Sequence, residues 1–194
     1  SLRGREYEGR RGPNLVYGEV PFGAMASIFT RVEEYGGESS ILGGVFLDLG
    51  SGAGKPVIAA ALLRDWEVCC GVEILKDLHD EAMRAKAAFE SIVEAGPTVQ
   101  FELGDFRDDN FCLPRATFVF INSTCFGSKL METVAQKVQN AVASSAFVVT
   151  LTKPLPPIPD EAPRGTRVNG WELVDKMKER MSWGAATVFL HRKY

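Results

Sequence analysis

The chain has few of the residues that build metal sites and disulfide frameworks. Its 194 residues include four cysteines and two histidines. Cys69, Cys70, Cys112 and Cys125 show no C-x-x-C spacing, and no histidine stands at ligand distance from them. Structural zinc sites need such spacing. We therefore predict no metal, and reduced core thiols in an intracellular, reducing compartment.

The chain also lacks long apolar runs and a strong charge of either sign. No hydrophobic run reaches the length that spans a membrane, and no signal-peptide pattern is present. The net charge of −3 argues against retention on nucleic acid by bulk charge. We expect no membrane association and no direct sequence-specific binding of nucleic acid. The oligomeric state stays open.

Length and charge distribution predict a short arm and one domain. A chain of 194 residues is long enough for one domain with a sizeable core. Residues 1–16 are rich in Arg and Gly and predict a flexible basic arm, whereas residues 17–194 predict the folded domain. Basic residues are also enriched near the C-terminus. Solvated surface and contact with an acidic partner are the two interpretations. Because the chain starts at Ser1, we expect flanking segments.

Apolar periodicity predicts strands that alternate with helices. Helical spacing begins at Pro21, and a long amphipathic helix runs from Leu75 to Val93. Ser128 is predicted to cap a further helix, and 171–183 is ambiguous between helix and strand. Apolar strands are predicted at 45–49, 68–72, 99–103, 117–121, 146–151 and 187–191. This order predicts an α/β fold with a mostly parallel twisted sheet, helices on both faces and an antiparallel C-terminal hairpin.

The most informative stretch is a glycine-rich turn between a predicted strand and a predicted helix. It reads Asp48-Leu49-Gly50-Ser51-Gly52-Ala53-Gly54-Lys55, and Glu73 ends the next strand. The glycines allow sharp bends and close approach of the backbone to a ligand. Glu73 follows at about the 20-residue spacing of a carboxylate that binds ribose hydroxyls. The pattern predicts a nucleoside site, with the backbone amides of 50–54 facing the ligand.

The spelling of this turn separates three nucleoside classes. A phosphate-binding P-loop needs a glycine where Leu49 stands and a Ser or Thr where Pro56 stands. A dinucleotide fingerprint needs a third glycine where Lys55 stands. The remaining pattern, D-x-G-x-G-x-G, resembles motif I of the class I S-adenosylmethionine (SAM) methyltransferases, which have a Rossmann-like fold. A glycine-rich turn of another α/β protein is the alternative.

Two further segments are predicted to lie at the same crevice. Ligands of such sheets bind at the carboxyl ends of the strands, where Asp105-Phe106 and Asn122 are expected. Asp105 is suited to accept from an adenine amino group while Phe106 lies against the ring. The alternative for Asp105 is a turn residue after Gly104. A cationic sulfonium favours carboxylates and other oxygen acceptors nearby.

An ordered set of motifs spans nearly the whole chain, from Tyr17 to His191. Its members are Tyr17-Gly18-Glu19-x-x-Phe22, Gly104-Asp105-Phe106, Phe120-Ile121-Asn122-Ser123-x-x-Phe126-Gly127, Lys153-Pro154 and Ser182-Trp183 ahead of Leu190-His191. This set resembles the Dot-type (disruptor of telomeric silencing) histone-lysine methyltransferases, which lack a SET domain.

The resemblance implies a nuclear chromatin regulator that methylates a lysine of the nucleosomal histone core. It implies SAM as cofactor, S-adenosylhomocysteine as product and no metal. Glu19 and Val20 are implied to help close a loop over SAM, and Tyr17 and Asn122 to bind the cofactor. Asn122 and Phe126 are implied to border the lysine channel, and Trp183 is a further catalytic candidate. For Asn122 the alternative is a loop cap, and for the two aromatic residues it is core packing.

Three departures from the family pattern leave other functions open. Lys55 replaces the family's Gln, the aromatic pair before Leu190-His191 reads Val188-Phe189 without the family tyrosine, and the loop after Trp183 is short. One alternative is methylation of a non-histone protein or a small molecule. The other is a non-catalytic SAM-binding module.

Overall fold

The computed structural model describes residues 18–36 and 43–194. The predicted basic arm and Tyr17 lie outside the described residues.

The described residues form one mixed sheet whose strands follow the order β3-β2-β1-β4-β5-β8-β7-β6. The first five strands pair in parallel and the last three pair antiparallel. The predicted C-terminal hairpin is therefore confirmed, and its second strand is the one that joins the parallel part. The strands are β1 (Val45–Leu49), β2 (Val68–Glu73), β3 (Thr98–Leu103), β4 (Ala116–Ile121), β5 (Val142–Leu151), β6 (Arg167–Val168), β7 (Trp171–Met181) and β8 (Gly184–Lys193).

Helices cover both faces of the sheet, as predicted. They are α1 (Phe22–Gly36), α2 (Lys55–Leu63), α3 (Lys76–Ile92) and α4 (Ser128–Ala141), with a 3₁₀ turn at Ser123–Cys125. One apolar cluster joins the inner sides of α1, α2 and α3 to one face of the sheet. A second cluster joins α4 to the opposite face. Because strand side chains alternate between faces, neighbouring residues of one strand belong to different clusters.

Local details differ from the sequence predictions at three places. The ambiguous segment 171–183 is strand through Met181. Ser128 is the first residue of α4 rather than its cap, since Gly127 occupies the cap position and no side chain caps the helix. Cys112 is exposed, which contradicts its prediction as a core thiol. Cys69 and Cys70 are buried in β2, and burial raises the pKa of Cys70 to about 11.

Two surveys of the described ranges gave negative results. Within residues 18–36 and 43–194, no helix is long and apolar enough to cross a membrane. The same residues contain no group of three or more His, Cys, Asp or Glu side chains placed to hold a metal ion.

Candidate functional site

The candidate site lies at the carboxyl ends of the parallel strands. Strand β1 has β2 on one side and β4 on the other. The chain therefore runs from β1 to β2 in one direction along the sheet, and from β4 to β5 in the opposite direction. At such a switch point the loops after adjacent strands separate and open a crevice. Asp48, Glu73 and Asn122 lie at or just after the ends of β1, β2 and β4, which places them around this crevice.

The glycine-rich turn follows β1 and enters α2. Gly50, Gly52 and Gly54 have φ values of 84°, 55° and 79°, which side chains disfavour. The amides of Gly50 and Ser51 donate to the carbonyl oxygen of Val72 at 2.9 and 3.0 Å. A Cβ atom on Gly54 would stand 2.5 Å from the Phe101 ring. Backbone conformation therefore favours glycine at all three positions, and packing against Phe101 also requires it at Gly54.

Glu73 ties this turn to the start of α3. One carboxylate oxygen accepts from the amide of Gly52 at 2.8 Å, and the other accepts from the amides of Ile74 and Leu75 at 2.8 Å each. The residue is buried, and the bonds to backbone amides hold its charge beside the glycine turn. The carboxylate of Glu73 thus accepts three hydrogen bonds from backbone amides. Its predicted bond to ribose hydroxyls stays a prediction.

Asp48 is a buried carboxyl without a hydrogen-bonding partner among the described residues. It is 1% exposed, and both of its oxygens lack a donor. Burial raises the pKa of the Asp48 carboxyl well above its usual range, and the negative charge of Glu73 raises it further. The Ser51 hydroxyl, in the same turn region, is also buried and has no partner in the part of the chain that the structure describes. These groups suit a ligand that brings donors or positive charge.

Asn122 connects the end of β4 to the segment before α1. Its amide nitrogen donates to the carbonyl oxygen of Gly18 at 3.2 Å. Its Oδ1 atom is buried and has no donor among the described residues. One side of the Asn122 amide thus anchors the segment before α1, and the other is an acceptor without a donor in residues 18–36 and 43–194.

An aromatic wall stands beside the glycine turn. The buried rings of Phe106 and Phe126 lie 6.4 Å apart, and a Cβ atom on Gly50 would be 3.6 Å from the Phe126 ring. The ammonium of Lys153 donates to the Phe126 carbonyl oxygen, and the hydroxyl of Ser123 donates to that of Leu151 at 2.6 Å. The turn that carries Phe126 is therefore held from two sides.

Residues 18–21 cover one side of this region. The Glu19 amide donates to the Ser182 hydroxyl at 3.0 Å, and the Ser182 amide donates to the Glu19 carbonyl oxygen at 3.2 Å. The Trp183 ring packs so closely on Gly18 that a Cβ atom there would stand 2.6 Å from it. Val20 is buried in the core on the α1 face. The tip of the β7–β8 hairpin thus fixes the cover.

Lys55 pairs with the cover. Its ammonium lies 2.7 Å from a carboxylate oxygen of Glu19. The cation that replaces the family's Gln is therefore held at the cover by an opposite charge. A cavity of about 410 Å³ adjoins this pair, and its apolar lining includes Phe22, Ile58 and Leu62. It contains none of the unpartnered acceptors of the crevice.

Asp105 lies just after the end of β3, as predicted, and it also forms the turn that was its alternative interpretation. Its carboxylate accepts from the backbone amide of Arg107 at 2.9 Å and from the guanidinium of the same residue at 2.5 to 3.0 Å. Its predicted bond to an adenine amino group stays a prediction. Phe106, by contrast, has its ring at the crevice wall.

Val188 and Phe189, which stand where the family has an aromatic pair with a tyrosine, lie in different apolar clusters. Val188 is buried in the cluster on the α1 face, whereas Phe189 belongs to the cluster of Phe106 and Phe126. A side chain at 188 therefore cannot line a channel with Phe126. Phe189 lies on the same face of the sheet as Phe106 and Phe126, and it differs from tyrosine only by the missing hydroxyl group.

Three residues that position the site, Ser182, Lys153 and His191, stood out in the sequence only as members of a motif. Ser182 and Lys153 act through hydrogen bonds to Glu19 and Phe126. His191 is buried, and its two ring nitrogens bond the amide of Leu155 and the carbonyl oxygen of Val148 at 3.0 Å each. The motif set was the signal that singled them out, since neither charge nor periodicity does so.

The described residues fit SAM. The glycine turn leaves room for a ligand against the backbone, the acceptors of Asp48, Ser51 and Asn122 lack donors, and Phe106 offers a ring face. SAM carries an ammonium and a sulfonium, and such cations are favoured beside unpaired oxygen acceptors. The set of groups is complementary to a cation with hydrogen-bond donors.

Comparison with known proteins gives a family and a fold. The family model described as "Histone methylation protein DOT1" matches residues 4–185. A histone-lysine N-methyltransferase of Chaetomium globosum, named H3 lysine-79 specific, is 34% identical over 126 residues, which are 61% of this chain and 23% of that protein. This chain spans about a quarter of the length of the curated relatives that it matches.

Solved structures show the same α/β fold. TrmN from Thermus thermophilus has a TM-score of 0.66 at 16% identity, covering 98% of this chain and 53% of that one. An RNA methyltransferase from Salinibacter ruber, solved with S-adenosyl-L-homocysteine, has a TM-score of 0.58 at 20% identity, covering 86% and 90%. The predicted Rossmann-like methyltransferase fold is confirmed.

Proposed function

Because the chain belongs to the DOT1 family of histone methylation proteins, we propose that it transfers a methyl group from SAM to a lysine of a nucleosomal histone. The curated relatives are named for lysine-79 of histone H3, and this residue is the proposed acceptor. Nuclear localisation and histone partners follow from the same proposal.

One observation carries the proposal at the level of chemistry. Four buried polar atoms without a partner among the described residues, two on Asp48 and one each on Ser51 and Asn122, lie near the end of β1 and at the end of β4. Buried polar groups are normally satisfied. A ligand with a positive charge and several donors would satisfy them, and a methyl donor and an amine acceptor together provide both.

The acceptors on β1 and β4 suggest a division of roles. SAM supplies, when bound, an electrophilic methyl group on a sulfonium. Asp48 lies at the glycine turn, where its carboxylate would neutralise cofactor charge. Asn122 lies just after the end of β4, the strand that pairs with β1. Its Oδ1, which has no donor among the described residues, would accept from the incoming amine. A bond from Asn122 to Gly18 would keep this oxygen in one orientation.

The aromatic wall would set the protonation state of the acceptor. A lysine amine has a pKa of about 10.4 and is mostly charged at neutral pH, but only the neutral amine attacks a methyl carbon. Phe106 and Phe126 form an apolar surface that disfavours the ammonium and so lowers the lysine pKa. Holding the neutral amine in line with the methyl group would then supply much of the acceleration.

The test is transfer of labelled methyl from SAM to nucleosomes. We expect label on histone H3, and its loss when H3 lysine-79 is replaced by arginine. Asn122→Ala should lower the rate by about 100-fold because it removes a positioned acceptor. Asn140→Ala, a change at an exposed asparagine of α4, is the matched control and should keep full activity.

Other labelling patterns would contradict the proposal. Label that persists on arginine-substituted H3 would reject lysine-79, and label only on other proteins of an extract would move the enzyme to a non-histone substrate. SAM binding without any labelled product would leave a non-catalytic SAM-binding module.

A further inference from the structure

The β7–β8 hairpin projects beyond the parallel strands at the edge that holds the crevice. Strand β5 ends at Leu151, which pairs with Val188, but β8 begins earlier, at Gly184, and pairs with β7 over that extension. The tip of the hairpin bonds to the cover through Ser182 and Glu19. The projecting part of the hairpin is therefore a neighbour of the candidate site.

The basic residues of β7 share one face of this hairpin. Lys176, Lys178 and Arg180 stand at alternate positions, so their side chains point to the same side. The register places them opposite Phe189, Thr187 and Ala185, and Phe189 belongs to the cluster on the α4 face. At about 3.4 Å per residue, the three cations span about 14 Å. We name them the basic face of the hairpin.

The acidic residues of β7 point the other way. Glu179 accepts from the Ser27 hydroxyl of α1 at 2.5 Å, and Asp175 lies 2.9 Å from the guanidinium of Arg31 in the same helix. In the described part of the chain, none of the three cations of the basic face takes part in an ion pair. The net charge of −3 thus conceals a local strip of positive charge.

The side chains around the basic face favour a phosphate backbone over a protein partner. Lys178, Arg180 and Ala185 are exposed, and Thr187 is half-buried, so small neighbours leave Lys178 and Arg180 accessible. Protein interfaces usually centre on large apolar anchors. The exposed large apolar side chain of the hairpin is Trp183, and its ring packs on Gly18. Charge without an apolar anchor suits contacts to phosphates, which position a protein without reading sequence.

We propose that the basic face of the hairpin binds the sugar-phosphate backbone of duplex DNA next to the methylated histone. The choice of duplex DNA rests on the proposed function, because a nucleosome presents DNA beside its histones. The contact is independent of base sequence. It positions the substrate at the crevice and makes nucleosome binding dependent on salt.

The test compares two variants of equal net charge. Lys178→Glu with Arg180→Glu reverses two exposed cations of the basic face, and Arg84→Glu with Arg115→Glu reverses two exposed cations on α3 and ahead of β4. Binding to a fluorescein-labelled duplex of random sequence is measured by anisotropy over a series of salt concentrations. Loss of two phosphate contacts should reduce the slope of log K against log salt by about 2, and the control should keep the slope.

Methyl transfer gives a second measurement. The hairpin variant should lose activity on nucleosomes while the control variant keeps it, and the SAM binding of both should match that of the unchanged protein. Lys178→Gln with Arg180→Gln should show a smaller loss in the same direction, which covers a charge reversal that fails to fold.

Several results would overturn the inference. They are an unchanged slope in the hairpin variant and an equal loss of slope or of nucleosome activity in both variants. Failure of the proposed function would look different, because the duplex measurement does not depend on methyl transfer. No product on any substrate, together with a reduced salt slope, would reject the function and keep the DNA contact.

Discussion

The environment of Asp48 is more favourable when a cationic ligand is bound than in the ligand-free protein. Its carboxyl is buried, and its oxygens have no donor among the described residues. Burying an ionised group without a partner costs free energy. A cationic ligand would offset this cost, whereas the ligand-free fold carries it. Residues of this kind often trade stability for function.

We expect Asp48→Asn to weaken SAM binding and to raise the stability of the ligand-free protein at neutral pH by about 1 kcal/mol. Because the folded-state pKa of Asp48 is raised, the unfolded chain ionises first as pH rises. The contribution of Asp48 to wild-type stability therefore falls as pH rises from about 3.9 to the raised folded-state pKa. The Asp48→Asn variant has no titrating group at this position and does not show this fall.

Urea unfolding from acid to neutral pH measures this effect, and calorimetry measures SAM binding. The gain from Asp48→Asn should grow with pH, while Asp160→Asn, a change at an exposed carboxyl, should produce none. A variant less stable than the wild type at neutral pH would contradict the account.

His191 holds two segments together as a neutral ring. Nε2 accepts from the Leu155 amide, so Nδ1 carries the proton and donates to the Val148 carbonyl oxygen. Protonation of Nε2 would remove the acceptor. Burial lowers the pKa of His191 to about 4.

Acidification should therefore cost the wild type stability that a non-titrating variant keeps. The unfolded histidine has a pKa of about 6.5, so the contribution is complete above that pH and is lost as pH falls towards 4. The full loss is about 3 kcal/mol. The difference in unfolding free energy between the wild type and His191→Gln should shrink over this range. A difference that does not change with pH would reject the neutral clamp.

At the scale of elements, an ion pair joins the cover to α2. Glu19 precedes α1, Lys55 is the first residue of α2, and their charged atoms lie 2.7 Å apart. Both side chains are about half exposed, and pairs of this kind contribute about 0.2–1 kcal/mol. The pair is small in energy but joins two elements that border the site.

A charge-swap cycle tests the pair. Glu19→Lys or Lys55→Glu alone should weaken SAM binding by up to about fivefold at low salt, because like charges push the cover from α2. The double variant should recover most of the affinity, and the coupling should fall as salt is added. Additive losses in the double variant would show that the pair does not hold the cover.

At the scale of the whole molecule, cofactor binding should raise the thermal stability of the fold. A ligand that binds only the folded state at 100 times its dissociation constant adds about 2.7 kcal/mol. For a chain of this size that corresponds to a rise of about 5–10 °C in Tm. Differential scanning fluorimetry with SAM should show it, and Asp48→Asn should reduce it. ATP, which lacks a sulfonium, is the control ligand, and an equal rise with ATP would argue against a SAM site.

The sequence by itself determined the parts of this protein that depend on neighbouring residues. The glycine turn from Asp48 to Gly54 could be identified because close backbone approach demands glycine at fixed positions. The alternating strands and helices could be identified because burial imposes a period of two or of about 3.6 residues. The ordered motifs from Gly18 onward gave the family for the same reason, since each is a short local string.

Only the tertiary structure decided which distant residues meet. Segment 171–183 had no decisive period, and its pairing with β8 made it a strand and collected Lys176, Lys178 and Arg180 on one face. The contact of Glu19 with Lys55 and the separation of Val188 from Phe189 also depend on strand order and packing. Such contacts join residues far apart in the chain, and no local pattern encodes them because their geometry is set by the packing of whole elements.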